Sequence, residues 1–287
     1  NNLHLYADSE VVNHAILTAQ SIVSADDAQN AQLSNTAKGQ LSATTINLSG
    51  TLDNAGSITA TTVTLASGAG EAASVNAGTL TTDSLVVEET AELKNTGTLT
   101  AVNDMTVKGS TVNDKSLTTK ALTVEGQLAN NEKGSVDADS LSLTSGSVTN
   151  AGTMTLAQTE TSSTIAAALD NQGTFTVKLG ANALEVTETG TVENSGTLDS
   201  DSALNIAGSV TNSGTLDADA LVSVKGGQFT TKTGADTQLT GLTVTAGQVK
   251  VEVDSTLTDA GKTTVNVATA DTVAIDNAAN LKLTDLE

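Results

Sequence analysis

The residues of this chain most able to do chemistry are three pairs of alternating aspartates: Asp137-Ala138-Asp139, Asp199-Ser200-Asp201 and Asp217-Ala218-Asp219. The last two pairs lie 18 residues apart. If the chain repeats at that length, they occupy equivalent places in adjacent coils, and their side chains stack about 4.8 Å apart. Carboxylates that close suit acid/base work, one of them keeping its proton to a higher pH. The same hard oxygens suit calcium, and Asp199, Asp201, Asp217 and Asp219 are the calcium candidates. The plainer reading is a solvated acidic face at a coil corner. All 12 basic residues are Lys, with Lys225 the nearest after Asp219, and no aromatic lies nearby. No catalytic, cofactor-binding or metal site is assigned on this basis, and an enzyme is not expected.

Other constellations are thinner. His4 and His14 sit near Tyr6, with Asp8 and Glu10 as further metal donors on paper. In Leu3-His4-Leu5-Tyr6 strand alternation sends His4 and Tyr6 to one face and the leucines to the other. The polar side of an end coil accounts for that cluster. Cys is absent, which removes disulfides, thiolate metal sites and a thiol nucleophile. No Ser-His-Asp arrangement can be placed, and Gly68-Ala69-Gly70 opens no helical pattern that would cradle a phosphate. Threonine is frequent at outward strand positions, as in Thr59-Ala60-Thr61 and Thr231-Lys232-Thr233. Regular threonine arrays can order water and bind ice. Here the outward residues read from coil to coil are mixed, running Asn47, Thr64, Val86, Thr106, Thr123, Ser142, Thr176 and Asn205, which would interrupt a lattice.

Composition narrows the partners. The net charge of −21 opposes nucleic acid and anionic membrane surfaces. Aromatics are limited to Tyr6, Phe175 and Phe229, and Pro and Trp are absent. There is no signal peptide and no membrane-spanning run, so this segment is not expected to insert into a membrane. The sequence opens at Asn1-Asn2 without Met and stops in mid-pattern at Leu286-Glu287, which reads as a piece of a longer chain.

The elements that must position these residues come from a returning phrase: apolar, spacer, Asn, spacer, Gly, spacer, apolar. It stands as Leu52-Asp53-Asn54-Ala55-Gly56-Ser57-Ile58 and as Leu93-Lys94-Asn95-Thr96-Gly97-Thr98-Leu99. It returns from Val148 to Met154, Leu169 to Phe175, Val192 to Leu198 and Val210 to Leu216. The glycines recur every 17 to 23 residues, and one gap of 37 reads as two turns with Asn113 marking the middle. Shorter alternating runs follow each phrase, such as Val63-Thr64-Leu65 and Leu122-Thr123-Val124. Alternation argues for half-buried strands, and only residues 9 to 24 hint at a helical stripe.

A unit of about twenty residues cannot bury its own apolar face, whereas a stack of such units can. The spacing therefore predicts an all-β chain: a right-handed parallel β-helix, or β-solenoid, of about 12 coils with 17–23 residues each. It forms one domain over 1–287, with an atypical amino-terminal coil in 1–30, regular repeats over 31–249 and carboxy-terminal coils in 250–287. The glycine supplies a corner conformation that a Cβ would oppose. The asparagine suits a left-handed turn and, stacked, forms an amide ladder. Two places interrupt the pattern: Gln158 to Thr164, and the twin turns Asn35-Thr36-Ala37-Lys38-Gly39 and Asn130-Asn131-Glu132-Lys133-Gly134. Both are candidates for contact with a partner.

Over roughly residues 31 to 249, repeats such as Gly50 to Ile58 and Ser195-Gly196-Thr197-Leu198-Asp199 resemble the passengers of autotransporters and filamentous-haemagglutinin-type adhesins. That resemblance implies a type V secreted, right-handed β-helix on a Gram-negative cell surface, anchored at the outer membrane by a part of the parent not present here. From the residues themselves no cofactor is expected, calcium at the four aspartates being the exception considered. The expected function is a non-catalytic adhesive or stalk segment that meets a host-cell protein or glycan, or associates rod to rod. The alternative is a β-helix polysaccharide-active enzyme or a phage tailspike-like fragment.

Overall fold

The structure, a computed structural model, describes residues 1–24, 30–66, 72–157, 161–265, 273–277 and 280–286. Gly68-Ala69-Gly70, residues 158–160 of the interrupting turn and Glu287 lie outside the described residues. The chain is an all-β parallel β-solenoid of about 13 turns, with no helix among the described residues. Residues 9 to 24 follow the same rule: Glu10–Asn13 and Ile16–Ser24 are strands. The chain divides into two compact units, 1–138 and 139–287.

One turn of the first unit shows how the sequence makes the fold. Thr51–Asn54 is a four-residue strand with Leu52 and Asn54 inward. After the corner Ala55-Gly56, the strand Ser57–Leu65 runs in two arms. Ile58 and Ala60 point inward from the first arm, Val63 and Leu65 from the second, and Thr61 stands exposed at the bend between them. The next turn repeats the arrangement in register, Ile58 on Leu80, Val63 on Leu85 and Leu65 on Val87. β-branched residues favour such pleated, half-buried surfaces, and with no proline every backbone N–H remains available to the ladder.

The interior is made of columns. Leu41, Ile58, Leu80, Leu99 and Leu117 form one in the first unit, all essentially inaccessible. In the second unit the corresponding stack is Met154, Phe175, Leu198 and Leu216. Each such side chain contributes about 1.5–3 kcal/mol by leaving water. Both phenylalanines are fully buried.

A column of asparagines shares this interior. In the first unit the Nδ2 of Asn13, Asn35, Asn54, Asn76, Asn95 and Asn113 each donates to the Oδ1 of the next asparagine, ending on Asn130, at 2.7–2.8 Å. The second unit has its own run, Asn150 to Asn171 to Asn194 to Asn212, at the same distances. The amide's second hydrogen goes to a backbone carbonyl one turn on, as from Asn54 to Thr79 and from Asn171 to Thr197. Only a carboxamide offers one acceptor and two donors in this shape; aspartate would stack bare charges. Full pairing is what lets these side chains sit at 0–1 % exposure in mid-ladder.

Two details of the corner differ from the sequence expectation. The ladder asparagines are not left-handed, since the non-glycine residues with positive φ are Asp8, Asn30 and Asp254. Nor does Gly97 or Gly196 have a positive φ. Their constraint is space: a Cβ on Gly97 would lie 2.1 Å from the carbonyl oxygen of Gly78, and one on Gly196 2.1 Å from that of Gly173. Parallel stacking brings each corner against the one before it, and only a missing side chain allows the approach.

Candidate functional site

The first arm of each long strand presents two outward residues separated by one inward residue. In the first unit these outward positions read Ile16 and Thr18, Gln40 and Ser42, Ser57 and Thr59, Thr79 and Thr81, Thr98 and Thr100, Ser116 and Thr118, then Ser135 and Asp137. Parallel pairing stacks them in register, Ser57 on Thr79 on Thr98 on Ser116, and Thr59 on Thr81 on Thr100 on Thr118. From Ser42 and Ser57 to Ser116 and Thr118 the result is a two-column face of hydroxyl side chains, exposed or half-buried, bounded by Ile16 and Gln40 on one side and Asp137 on the other. The ladder holds it from beneath. Asn35, Asn54, Asn76 and Asn95 donate to the backbone carbonyls of Ser57, Thr79, Thr98 and Ser116, the first outward residue of each arm, at 2.8–3.1 Å.

The mixed outward series of the sequence reading belongs elsewhere. Asn47, Thr64, Val86, Thr106 and Thr123 form a column on the second arm. Ser142 and Asn205 continue a comparable column in the second unit through Thr164 and Glu185. Thr176, however, stands on the first arm, beside Thr155 and Asp199. Reading both arms as a single outward surface hid the regular one, because the bend after the first arm resets the alternation.

Asp199 and Asp217 lie on the same kind of face in the second unit, whereas Asp137 stands exposed on the first arm of Ser135–Leu143, in the last turn of the first unit. There the first-arm columns run Thr153, Thr174, Thr197, Thr215, Asp236 and Thr155, Thr176, Asp199, Asp217, Gln238. Asp199 and Asp217 are register partners, as the 18-residue spacing predicts. Asp217 is exposed, yet its carboxyl is held above the usual range. Partial burial is the main cause, followed by the negative charges of Asp219, Asp199, Asp236 and Asp201. Asp201 is paired with Lys178 from the preceding turn at 3.6 Å, a cation 23 positions away that proximity in sequence does not reveal. Asp219 is exposed. Among the described residues no group of three or more His, Cys, Asp and Glu is arranged to hold a metal ion.

His4 and Tyr6 do face outward, with Leu5 buried, as alternation requires. The twin turns are built alike: Gly39 N–H donates to Thr36 O and Gly134 N–H to Asn131 O, both at 2.7 Å. The Nδ2 of Asn35 and Asn130 donates to Gly39 O and Gly134 O, closing each turn from inside. The interrupting segment returns to strand at Ser163–Ile165, where the buried Ser163 Oγ accepts the Leu141 N–H at 3.0 Å.

The sequence reading missed a second set of close-approach glycines after the second arm, Gly50, Gly109 and Gly126 in the first unit and Gly190, Gly208, Gly227 and Gly247 in the second. Their signal is a glycine two residues past strands such as Val107 and Val124. In the second unit they floor an open groove of about 570 Å³ walled by Gln228 and Gln248. In the first, Gly109 and Gly126 floor one of about 290 Å³ beside Glu89, Glu92 and Lys108. Neither groove contains any of the four candidate aspartates. No protein-family model, curated protein or solved structure matches this chain.

Proposed function

We propose that this chain is a non-catalytic adhesive or stalk segment of an exported bacterial cell-surface protein, serving attachment to host cells or to other bacteria. The observation that carries this reading is the division of labour between the two sides of each strand. Inward positions are occupied by apolar columns and the amide ladder, while the outward ones form long polar columns in register. A stack of this kind offers repeated shallow hydrogen bonding to a protein or glycan surface, and many weak contacts in a row add through effective concentration. The acidic surface, net −21, favours partners other than nucleic acid and anionic lipid. Export to the bacterial surface follows from the repeat resemblance and belongs to the same proposal.

The test is binding of the labelled chain to epithelial cells, to bacteria and to a glycan array, alongside Asp199→Ala/Asp217→Ala. Saturable binding that survives the double substitution supports an adhesive solenoid surface. Binding abolished by it would relocate function to the acidic columns and revive calcium or acid/base chemistry there. Absence of binding to every target overturns the adhesive half of the proposal.

A further inference from the structure

We infer that the hydroxyl face of the first unit, centred on Thr79, Thr81, Thr98 and Thr100, binds the surface of ice. The inference rests on the solenoid being a binding segment and names a ligand for one of its faces.

Four properties of the face select that ligand. First, it is uncharged: from Ser42 and Ser57 through Thr118 both columns carry only Ser and Thr, in a chain of net charge −21. Charge begins only at its edges, with Asp83 and Lys120 exposed two residues past Thr81 and Thr118 and Asp137 on the next first arm. Second, it repeats in two directions. Adjacent turns are about 4.8 Å apart, and alternate residues along a strand about 6.6 Å apart. A single glycan or peptide strand repeats in one direction only, whereas a crystal surface repeats in two.

Third, the face is stiff. Threonine is restricted at χ1, so little side-chain freedom is lost on contact. The carbonyls of Ser57, Thr79, Thr98 and Ser116 are fixed by the ladder amides. Side-chain ladders are among the devices that keep a many-stranded sheet flat. Fourth, the face lacks aromatic rings. The two phenylalanines are buried, and Tyr6 lies outside these columns. A crystalline polysaccharide would be gripped by rings stacked on its sugars. A lattice of water needs what threonine supplies: a hydroxyl that donates and accepts, and a methyl that orders the water between hydroxyls.

The test grows an ice hemisphere slowly in a dilute solution of the fluorescently labelled chain and measures the label incorporated, with crystal shape followed by microscopy. The wild-type chain is expected to enter the ice and to facet growing crystals. Thr100→Tyr, which raises a bulky side chain in mid-face, is expected to lose incorporation to the level of a globular control that ice excludes. Thr106→Tyr, on the second arm, is expected to retain it. Circular dichroism and Tm of both variants establish that each has folded. Exclusion of the wild-type chain overturns the inference, and so does equal incorporation of Thr100→Tyr. Adsorption to crystalline cellulose or chitin in place of ice overturns it as well. If ice excludes the chain while cells or glycans still bind it, only this inference falls; if nothing binds, the adhesive reading falls with it.

Discussion

The first-arm faces of the two units share a backbone and differ in chemistry. In the first unit the columns are neutral through Ser57/Thr59, Thr79/Thr81, Thr98/Thr100 and Ser116/Thr118 and meet a carboxylate only at Asp137, in its last turn. In the second they begin as Thr153/Thr155 and Thr174/Thr176, then turn acidic at Asp199, Asp217 and Asp236. The interiors differ too. The first unit's ladder passes from asparagine to asparagine as far as Asn130, whereas the second unit's stops at Asn212, which donates to Thr237 Oγ1 at 2.9 Å. Beyond it the column continues as Thr231 and Val251, and Thr231 and Thr237 hydrogen-bond to each other at 3.0 Å. The strands stay parallel across these changes, with register shifts between Val224 and Lys225 and between Lys225 and Gln228. Outward positions therefore vary without loss of the stack, and inward ones accept Thr231 and Val251 where asparagine stood.

The largest expected effect breaks the ladder in mid-run. Asn95→Ala removes the acceptor of Asn76 and the donors of Asn113 and Ser116 O. A loss of about 3–5 kcal/mol in urea unfolding is expected from three buried groups left unpaired. Asn212→Ala, at the ladder's end, should cost less, about 2 kcal/mol, because Thr237 keeps its bond to Thr231. Equal losses would mean that the ladder adds nothing beyond local pairing.

Next comes a gain. Thr111 replaces leucine in the inward column between Leu93 and Leu128, and its buried Oγ1 has no hydrogen-bond partner. Thr111→Val should stabilise by about 1 kcal/mol, read as a rise in the urea midpoint. A fall would show that the hydroxyl is satisfied in solution.

The smallest effect concerns the acidic face. The carboxyl of Asp217 is held above its ordinary value, so the folded state prefers it protonated. Its stabilising contribution is complete below the unfolded pKa and is lost as pH rises through the folded one. Asp217→Asn should then raise Tm at pH 7 by about 1–2 °C, as befits an exposed charge. The gain should vanish below about pH 4, where the wild-type group is protonated as well. A gain that persists at low pH would refute the electrostatic cause.

The solenoid was legible because its signal repeats. Asn54, Asn95, Asn150, Asn171, Asn194 and Asn212 each carry the same inward role, and one phrase read six times leaves little freedom. Asn13 and Asn76 escaped because Asn13 has no glycine two residues on, and because Ser74 stands where leucine stands elsewhere. Ser74 earns an interior position through the Leu52 N–H, which its Oγ accepts at 3.1 Å, a contact 22 residues long. The hydroxyl face was harder to read. Each of its members looks like an ordinary exposed strand residue, and only the register, together with the bend between the two arms, assembles them into columns. The Lys178–Asp201 pair was hidden for the same reason.

The direction of the ladder has a mechanical consequence. Every rung hydrogen bond, from Asn13 onward and again from Asn150, points from one turn to the next, as the strand-to-strand bonds do. Tension applied along the stacking direction of either unit therefore loads the turns in series, and the most weakly joined turn yields first. In the second unit that place lies beyond Asn212, which still holds Thr237, at the step from Thr231 to Val251, where valine can form no rung. Pulled from its carboxy-terminal end, the unit should peel a turn at a time from that side, with a rise in force when the first asparagine-to-asparagine rung is reached.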